Sequence, residues 1–206
     1  MKRVLCFGDS NTWGMIPLKG QRYDDETRWP SAMGKLLGPE YTVIEEGLCG
    51  RTTVFEDNLM PHCNGIKYLP ACLMSHNPLD LVIIMLGTND LKIRLSLTAI
   101  DIARGVNLLI QEVKRYSPNA KILIMSPPYI GEGIANIPGN EGMGKQAVEK
   151  SKLLHQYYEA FAKDNGCHYI KISDYVEASE ADCIHLTAEA HIKMAQVISK
   201  KVKEIL

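Results

Sequence analysis

A few polar residues, far apart in the chain, have the chemical types that acyl transfer requires. This reaction needs a nucleophile, a base that takes its proton, a group that orients the base, and donors for the negative oxygen that forms. Ser10 can be the nucleophile and His185 the base. Asp182 precedes the histidine by three residues, so in a turn its carboxylate can reach the imidazole and fix its tautomer. The Asn89 side chain and the backbone N–H near Gly50 can donate to the oxygen.

Strands and helices are predicted to alternate along the chain and to position these residues. Short continuous apolar runs, typical of parallel strands buried on both faces, occur at Val4–Phe7, Tyr41–Ile44, Leu81–Leu86, Lys121–Met125 and His168–Ile172. Apolar stripes with helical spacing lie at 102–113, 154–161 and 195–205, and Thr187 is a predicted N-cap for the last. The pattern predicts an α/β fold, a three-layer α/β/α sandwich around a five-stranded parallel sheet with right-handed crossovers. Ligands bind such sheets beyond the carboxyl ends of the strands, and the residues named above follow strand ends.

Each candidate residue also has an ordinary structural interpretation. Ser10 can cap a helix, Asn89 can form a turn, and His185 can lie in an exposed loop. Their joint occurrence after strand ends favours the catalytic interpretation. The sequence has no G-x-S-x-G, so the nucleophile elbow of the usual α/β-hydrolases is not predicted. A Cys49–His185 pair is a rival nucleophile and base, but no other sequence feature supports it.

Four sequence blocks resemble those of the SGNH (GDSL) hydrolase family. They are Gly8-Asp9-Ser10, Gly50, Gly87-Thr88-Asn89-Asp90 and Asp182-x-x-His185. The resemblance spans the whole chain. It is closest to the arylesterase/acyltransferase subgroup, through Glu45-Glu46-Gly47-Leu48, Arg51-Thr52-Thr53, Asn64-Gly65, Tyr68-Leu69-Pro70 and residues 78–90. The chain departs from the family pattern at Cys49 and at Asn11, where a small residue and an apolar residue are more usual.

The resemblance implies the flavodoxin-like SGNH hydrolase fold, as a single domain over residues 1–206. It implies a serine esterase that cleaves short-chain aryl or alkyl esters through an acyl-enzyme and can pass the acyl group to alcohols. A carbohydrate acetylesterase is the alternative within the family. Ser10 is then the nucleophile, His185 the base and Asp182 its orienting group. The oxyanion hole consists of the Ser10 and Gly50 backbone N–H groups and the Asn89 side chain. By the same resemblance, a segment like 55–77 helps to form homo-oligomers.

Three segments are expected to shape the substrate pocket. They are residues 13–29, residues 55–77 and the glycine-rich residues 127–144, the last expected to be a mobile loop over the site. The residues predicted to contact substrate flank the catalytic positions: Asp9, Trp13, Met15, Thr88 and Ile184. Aromatic residues make up only 7% of the chain. This content favours a small acyl group, acetyl first, over aggregated lipid.

Composition excludes several classes of protein. The chain has 206 residues, 46% of them hydrophobic, which suits one domain with a sizeable core and excludes a disordered chain. Its 23 basic and 24 acidic residues give a net charge of −1, without the basic excess that nucleic-acid binding needs. The longest apolar run, Leu81–Leu86, is far shorter than a membrane span, and no signal-peptide pattern is present. We expect a cytoplasmic protein whose partner is a small-molecule ester, not a nucleic acid or a membrane.

Bound groups are not expected. The six cysteines lack a C-x-x-C pair, and His62-Cys63 is an isolated pair without further ligands at zinc spacing. A flavodoxin-like binding module is the alternative from a different functional class. It would need a phosphate-cradling loop after the first strand, where Asp9 would repel the phosphate, and it would leave Asp182 and His185 without a purpose. We therefore predict neither metal nor cofactor.

Overall fold

The computed structural model describes residues 1–138 and 142–206. Five parallel strands form one sheet, in the order β2-β1-β3-β4-β5. The strands are β1 (Lys2–Gly8), β2 (Tyr41–Gly47), β3 (Leu81–Met85), β4 (Lys121–Ser126) and β5 (His168–Lys171). The helices are α1 (Ser10–Trp13), α2 (Trp29–Leu37), α3 (Gly65–His76), α4 (Ala99–Tyr116), α5 (Gln146–Asp164) and α6 (Ala188–Ile205). The predicted five-stranded parallel sheet is confirmed.

Helices cover both faces of the sheet, so its central strands are buried on both sides. In β1, Leu5 and Phe7 pack into a core formed with α3, α4 and α5. The intervening residues, Val4 and Cys6, pack into a second core formed with α2 and α6. The burial of successive side chains on opposite faces explains why the apolar run of β1 is continuous. The predicted three-layer α/β/α arrangement is confirmed.

Strand order places the ends of β1 and β3 at the point where the chain reverses its direction across the sheet. The chain leaves β1 for the edge strand β2, and then returns to pair β3 against the other side of β1. A crevice opens at such a reversal, beyond the carboxyl ends of the strands. Ser10 follows β1 and Asn89 follows β3, so both lie at this crevice.

The last helix begins just after the histidine singled out from the sequence. The Thr187 side chain accepts a hydrogen bond from the Ala190 N–H, which confirms the predicted N-cap of α6. The buried stripe of α6 includes Ala195, Ile198, Val202 and Ile205, as its spacing predicts. This packing anchors the segment that carries His185 from its C-terminal side.

The segment between β2 and β3 contains α3 and exposes several large apolar side chains, among them Leu59, Tyr68 and Met74. Its role in self-association stays a prediction. Across residues 1–138 and 142–206, no helix is both long and apolar enough to cross a membrane.

His191 is a fully buried titratable group between α6 and α2. Its Nδ1 accepts a hydrogen bond from the Trp29 backbone N–H at 3.3 Å. Within the described part of the chain, its Nε2 is buried without a hydrogen-bond partner. Burial disfavours the charged imidazolium and lowers the pKa of His191 to about 4.

We expect His191 to make the fold sensitive to acid. Its folded pKa of about 4 lies below the unfolded value of about 6.5. Its contribution to stability is therefore complete above the unfolded value and is lost as the pH falls toward the folded one, because only the unfolded chain takes up the proton. The full loss is about 3 kcal/mol. His191→Asn keeps an acceptor for the Trp29 N–H but does not titrate, so its free energy of unfolding should depend less on pH. Urea titrations across that pH range measure this, with exposed His62→Asn as the control; equal pH slopes in wild type and His191→Asn would contradict the expectation.

Candidate active site

Ser10 is held at the start of α1 by a tight turn at the end of β1. The Asp9 carboxylate caps the helix by accepting a hydrogen bond from the Asn11 N–H at 3.0 Å. Gly8 allows α1 to approach the strand closely, because a Cβ at this position would stand 2.0 Å from Oγ1 of Thr12. The Ser10 side chain therefore has a fixed direction at the sheet edge.

Ser10, His185 and Asp182 form a continuous chain of hydrogen bonds. The His185 Nε2 lies 2.9 Å from the Ser10 Oγ, and its Nδ1 lies 2.7 Å from the Asp182 Oδ2. With its proton on Nδ1, the imidazole donates to the carboxylate and leaves Nε2 to accept from the serine hydroxyl. The structure thus brings together the three residues that the sequence analysis assigned to catalysis.

The second Asp182 oxygen shapes the loop that carries the histidine. Oδ1 accepts the backbone N–H groups of Ile184 at 3.0 Å and His185 at 2.9 Å. Burial of the carboxyl opposes ionisation, but the hydrogen bonds from His185 and Ile184 outweigh it and hold the pKa of Asp182 below its usual value. A carboxylate at this position can orient the imidazole and stabilise its protonated form.

Asn11 ties this loop to α1, a role that the sequence analysis did not assign. Its Nδ2 donates to the Ile184 carbonyl at 3.2 Å, and its Oδ1 accepts from the Leu186 N–H at 3.0 Å. These two bonds hold the residues on either side of His185. They therefore fix the histidine beside Ser10, which precedes Asn11 in the sequence. The only sequence signal was that Asn11 departs from the apolar residue usual after the serine.

The three predicted oxyanion donors come from separate segments of the chain, and Asn89 lines the same cavity as Ser10. The Gly50 backbone has φ +83°, a conformation that favours glycine. In the part of the chain that the structure describes, the Ser10 and Gly50 backbone N–H groups have no hydrogen-bond acceptor. The Asn89 Nδ2 donates to the Arg51 carbonyl at 3.1 Å and has a second N–H to offer. Each of the three groups therefore keeps an N–H that no described residue accepts.

Asp90 locks the turn after β3 to the loop after β2. Its buried carboxylate accepts from the Thr53 backbone N–H, at 3.0 and 3.1 Å, and from the Thr53 hydroxyl. Burial raises the pKa of Asp90 to about 6. The hydrogen bond from Asn89 to Arg51 joins the same two loops. Together these contacts fix the loop that carries Asn89 and the loop that carries Gly50.

Asn89→Ala is expected to fold and to lower kcat for ester hydrolysis by about 10²–10³-fold, the usual effect of removing one oxyanion donor. The deleted amide stabilises charge that develops only in the transition state, so kcat should fall more than KM rises. Steady-state kinetics with an aryl acetate measure this, and exposed Asn119→Ala is the matched control. Activity within a few-fold of wild type would refute the role given to Asn89.

A small cavity of about 270 Å³ opens beside these groups. Its described lining consists of Ser10, Met60, Asn89, Lys92, Arg94, Gly142, Met143, Ile184 and His185. Of the three segments expected to shape the pocket, 55–77 and 127–144 contribute to the described lining and 13–29 does not. Gly139 and the rest of 139–141 lie outside the described residues. A larger groove of about 660 Å³ between α5 and α6 contains neither Ser10 nor His185.

The five residues predicted to contact substrate occupy different places. Ile184 lines the cavity. Asp9 and Thr88 are buried. Trp13 lies beneath the Arg22 guanidinium, and Met15 pairs with the Arg22 backbone. Contacts of these residues with substrate stay predictions. Met60, Lys92, Arg94 and Met143 were missed, although Lys92 and Arg94 follow Asn89 closely in sequence.

The rival thiol nucleophile is disfavoured by its surroundings. Burial, and then the charge of Asp9, raise the pKa of Cys49 to about 11. A thiol held protonated in this way is a poor nucleophile. Among the described contacts of His185, the ring bonds Ser10 and Asp182 but not Cys49.

One group of potential metal ligands lies apart from this site. Glu46, Cys72 and His76 place ligand-type atoms within 4.8 Å of one another. The His76 Nε2 lies 3.1 Å from the Glu46 carboxylate, and burial raises the pKa of the Cys72 thiol to about 12. Glu46 also raises the pKa of Cys72, so the three side chains interact as one cluster between β2 and α3.

Comparison with known proteins gives a consistent family assignment. The family model described as GDSL-like lipase/acylhydrolase matches residues 6–192. The chain is similar to the structure of Est24, a carbohydrate acetylesterase from Sinorhizobium meliloti, with 40% identity, full coverage of both chains and a TM-score of 0.94. It is similar to the native aryl esterase of M. smegmatis, with 34% identity, full coverage of both chains and a TM-score of 0.94. No curated protein matched the chain.

Proposed function

The chain belongs to the GDSL-like lipase/acylhydrolase family and is a carboxylic ester hydrolase, and we propose that it cleaves small esters through a Ser10–His185–Asp182 triad. The observation that carries this proposal is the pair of hydrogen bonds at 2.9 Å and 2.7 Å that joins the three side chains. The side chains proposed as nucleophile, base and orienting group are in contact, and Asn89, a proposed oxyanion donor, lines the same cavity as Ser10.

Acylation begins when the Ser10 hydroxyl attacks the ester carbonyl and the His185 Nε2 takes its proton. The tetrahedral oxygen accepts hydrogen bonds from the Ser10 and Gly50 backbone and from Asn89. Asp182 stabilises the imidazolium that forms and keeps the ring in position. His185 then returns the proton to the alcohol as the ester bond breaks, which leaves the acyl group on Ser10.

Deacylation repeats these steps with a second nucleophile. Water, activated by the His185 Nε2, attacks the acyl-enzyme and releases the acid. An alcohol in the same position would take the acyl group as a new ester, so the one site supports both hydrolysis and acyl transfer. With an added alcohol, the ratio of new ester to acid formed measures how the acyl-enzyme divides between acyl transfer and hydrolysis.

The substrate class follows from the size of the cavity. A volume of about 270 Å³, lined in part by Met60, Met143 and Ile184, suits a small ester better than a long acyl chain. The similarity to a carbohydrate acetylesterase supports acetyl as the acyl group, and the further similarity to an aryl esterase leaves the alcohol open. Acetylated sugars are therefore the second candidate substrates, to be compared with aryl acetates.

We expect kcat/KM for aryl esters to fall as the acyl chain lengthens from two to eight carbons. A chain that cannot enter the cavity gains nothing from its added methylenes. In an open cleft each buried methylene would contribute about 0.8 kcal/mol, roughly a fourfold rise in kcat/KM. The series is measured below the micelle concentration of the longest ester. A steady rise through eight carbons would overturn the short-cavity proposal and leave the triad untouched.

A further inference from the structure

The cavity beside Ser10 and His185 has a cationic wall. Lys92 and Arg94 line it from the short turns that follow Asn89. None of the described lining residues carries a carboxylate. The Lys92 side chain is 11% exposed and that of Arg94 is 34% exposed, so bulk solvent screens the two charges only partly.

One carboxylate, that of Asp57, pairs with both cations. Its Oδ1 accepts from the Arg94 Nε at 2.9 Å, and its Oδ2 accepts from the Arg94 Nη2 at 2.6 Å and from the Lys92 Nζ at 3.2 Å. Asp57 is buried and does not line the cavity. The hydrogen bond from Arg94 is the main cause that lowers the pKa of Asp57 to about 2, so it is ionised at neutral pH. Among the described residues, two cations facing one carboxylate leave a net positive charge on this wall.

Both cations keep hydrogen-bond donors that Asp57 does not use. In the described part of the chain, no residue accepts a hydrogen bond from the Arg94 Nη1. This nitrogen would lie 3.3 Å from a Cβ built on Gly142, which itself lines the cavity. The Lys92 Nζ has three N–H donors, and among the described residues its only acceptor besides Asp57 is the weak acceptor Sδ of Met60, at 3.5 Å. The wall therefore offers unused charged donors close to the predicted nucleophile.

We propose, on the basis of the esterase function above, that the preferred substrates are small esters carrying a carboxylate that binds Lys92 and Arg94. The substrate carboxylate takes up the free Arg94 Nη1 and Lys92 donors while the ester carbonyl reaches Ser10. Guanidinium and ammonium donors form strong, charge-assisted hydrogen bonds with carboxylates. The substrate carboxylate lies on either the acyl part or the alcohol part of the ester, and the experiment below separates these two cases.

A purely structural role makes a different prediction. The ion pairs of Asp57 also hold segment 55–60 against the turn after β3. If the cations served only this purpose, esters that differ in charge alone would be hydrolysed at rates set by their chemical reactivity.

The experiment compares two matched pairs of esters. On the alcohol side, 4-acetoxybenzoate is paired with its neutral methyl ester. On the acyl side, monophenyl succinate is paired with its neutral methyl ester. Each kcat/KM is divided by the rate constant for hydroxide-catalysed hydrolysis of the same ester. We expect the anionic member of one pair to be preferred by roughly 10- to 100-fold, the effect of one charged hydrogen bond, and the preference to shrink as salt is raised.

Variants then test the two side chains directly. Arg94→Gln should lower the preference about tenfold, and Arg94→Lys should restore part of it. Arg104→Gln removes the same charge from an exposed position on α4 and should leave the preference unchanged. The preference is the ratio of kcat/KM for the anionic ester to kcat/KM for its neutral partner, measured with the same variant. A change in the fraction of active protein alters both values equally and cancels in this ratio.

The outcomes separate this inference from the esterase function. Absence of a preference for the anionic ester in both pairs would overturn the inference, and so would a preference that Arg94→Gln leaves unchanged. If Arg94→Gln does not fold, a preference undiminished by salt would overturn it instead. Loss of all ester turnover in the wild-type protein would instead refute the proposed function.

Discussion

Replacing Ser10 with alanine is expected to lower kcat for aryl acetate hydrolysis by about 10⁴–10⁶-fold. The substitution removes the atom that would form the acyl-enzyme, and no other hydroxyl lies within hydrogen-bond distance of the His185 Nε2 in the described structure. The fold should survive, because the Ser10 hydroxyl makes no other described hydrogen bond and Asp9 still caps α1. Steady-state kinetics and circular dichroism measure the two effects.

The control for this variant is Ser75→Ala, which removes an exposed hydroxyl from α3. It should retain wild-type kinetics. If Ser10→Ala kept activity within tenfold of wild type while Cys49→Ala lost it, the rival thiol mechanism would replace the serine mechanism.

Asp182→Asn is expected to lower kcat by about 10⁴-fold without unfolding the loop. Asparagine can keep an oxygen that accepts the backbone N–H groups of Ile184 and His185, as Oδ1 of the aspartate does. Its amide N–H₂ then faces the His185 Nδ1, 2.7 Å away in the wild type. A donor at this position favours the tautomer that carries its proton on Nε2, and this tautomer cannot take the proton of Ser10.

The measurement pairs kcat for an aryl acetate with thermal unfolding of the same protein. Exposed Asp164→Asn removes one negative charge elsewhere and is the matched control. An Asp182→Asn variant with normal unfolding and more than a tenth of wild-type kcat would show that the carboxylate does not orient the base.

The fold was predictable because its strands are short and buried on both faces. The runs at β1 and β3 contain almost only apolar residues, so they stand out from the amphipathic helices around them. The strand ends were less predictable. Lys2 and Arg3 extend β1 because they pair with Tyr41 and Thr42 of the edge strand, where polar side chains reach solvent. Backbone pairing, rather than residue type, sets that boundary.

The clustering of the polar residues that follow the strands was also predictable, because the carboxyl ends of parallel strands lie along one edge of the sheet. The contacts between distant loops were not predictable. Asp57, Lys92 and Arg94 are ordinary solvated charges in the sequence, and only the folded chain buries the carboxylate behind the two cations. Asn11 likewise gains its partners only when the loop after β5 closes over α1.

Locating the acyl group during turnover tests the role of Ser10 as nucleophile most directly. The wild-type protein is mixed with an aryl acetate, quenched in acid within the first turnovers, digested and sequenced by tandem mass spectrometry. The triad proposal predicts acetyl on the Ser10 hydroxyl, formed at the rate of the initial burst of phenol and lost at the rate of steady-state turnover. Acetyl on Cys49 with these kinetics, or acetyl on Ser10 that forms more slowly than the ester is hydrolysed, would contradict it.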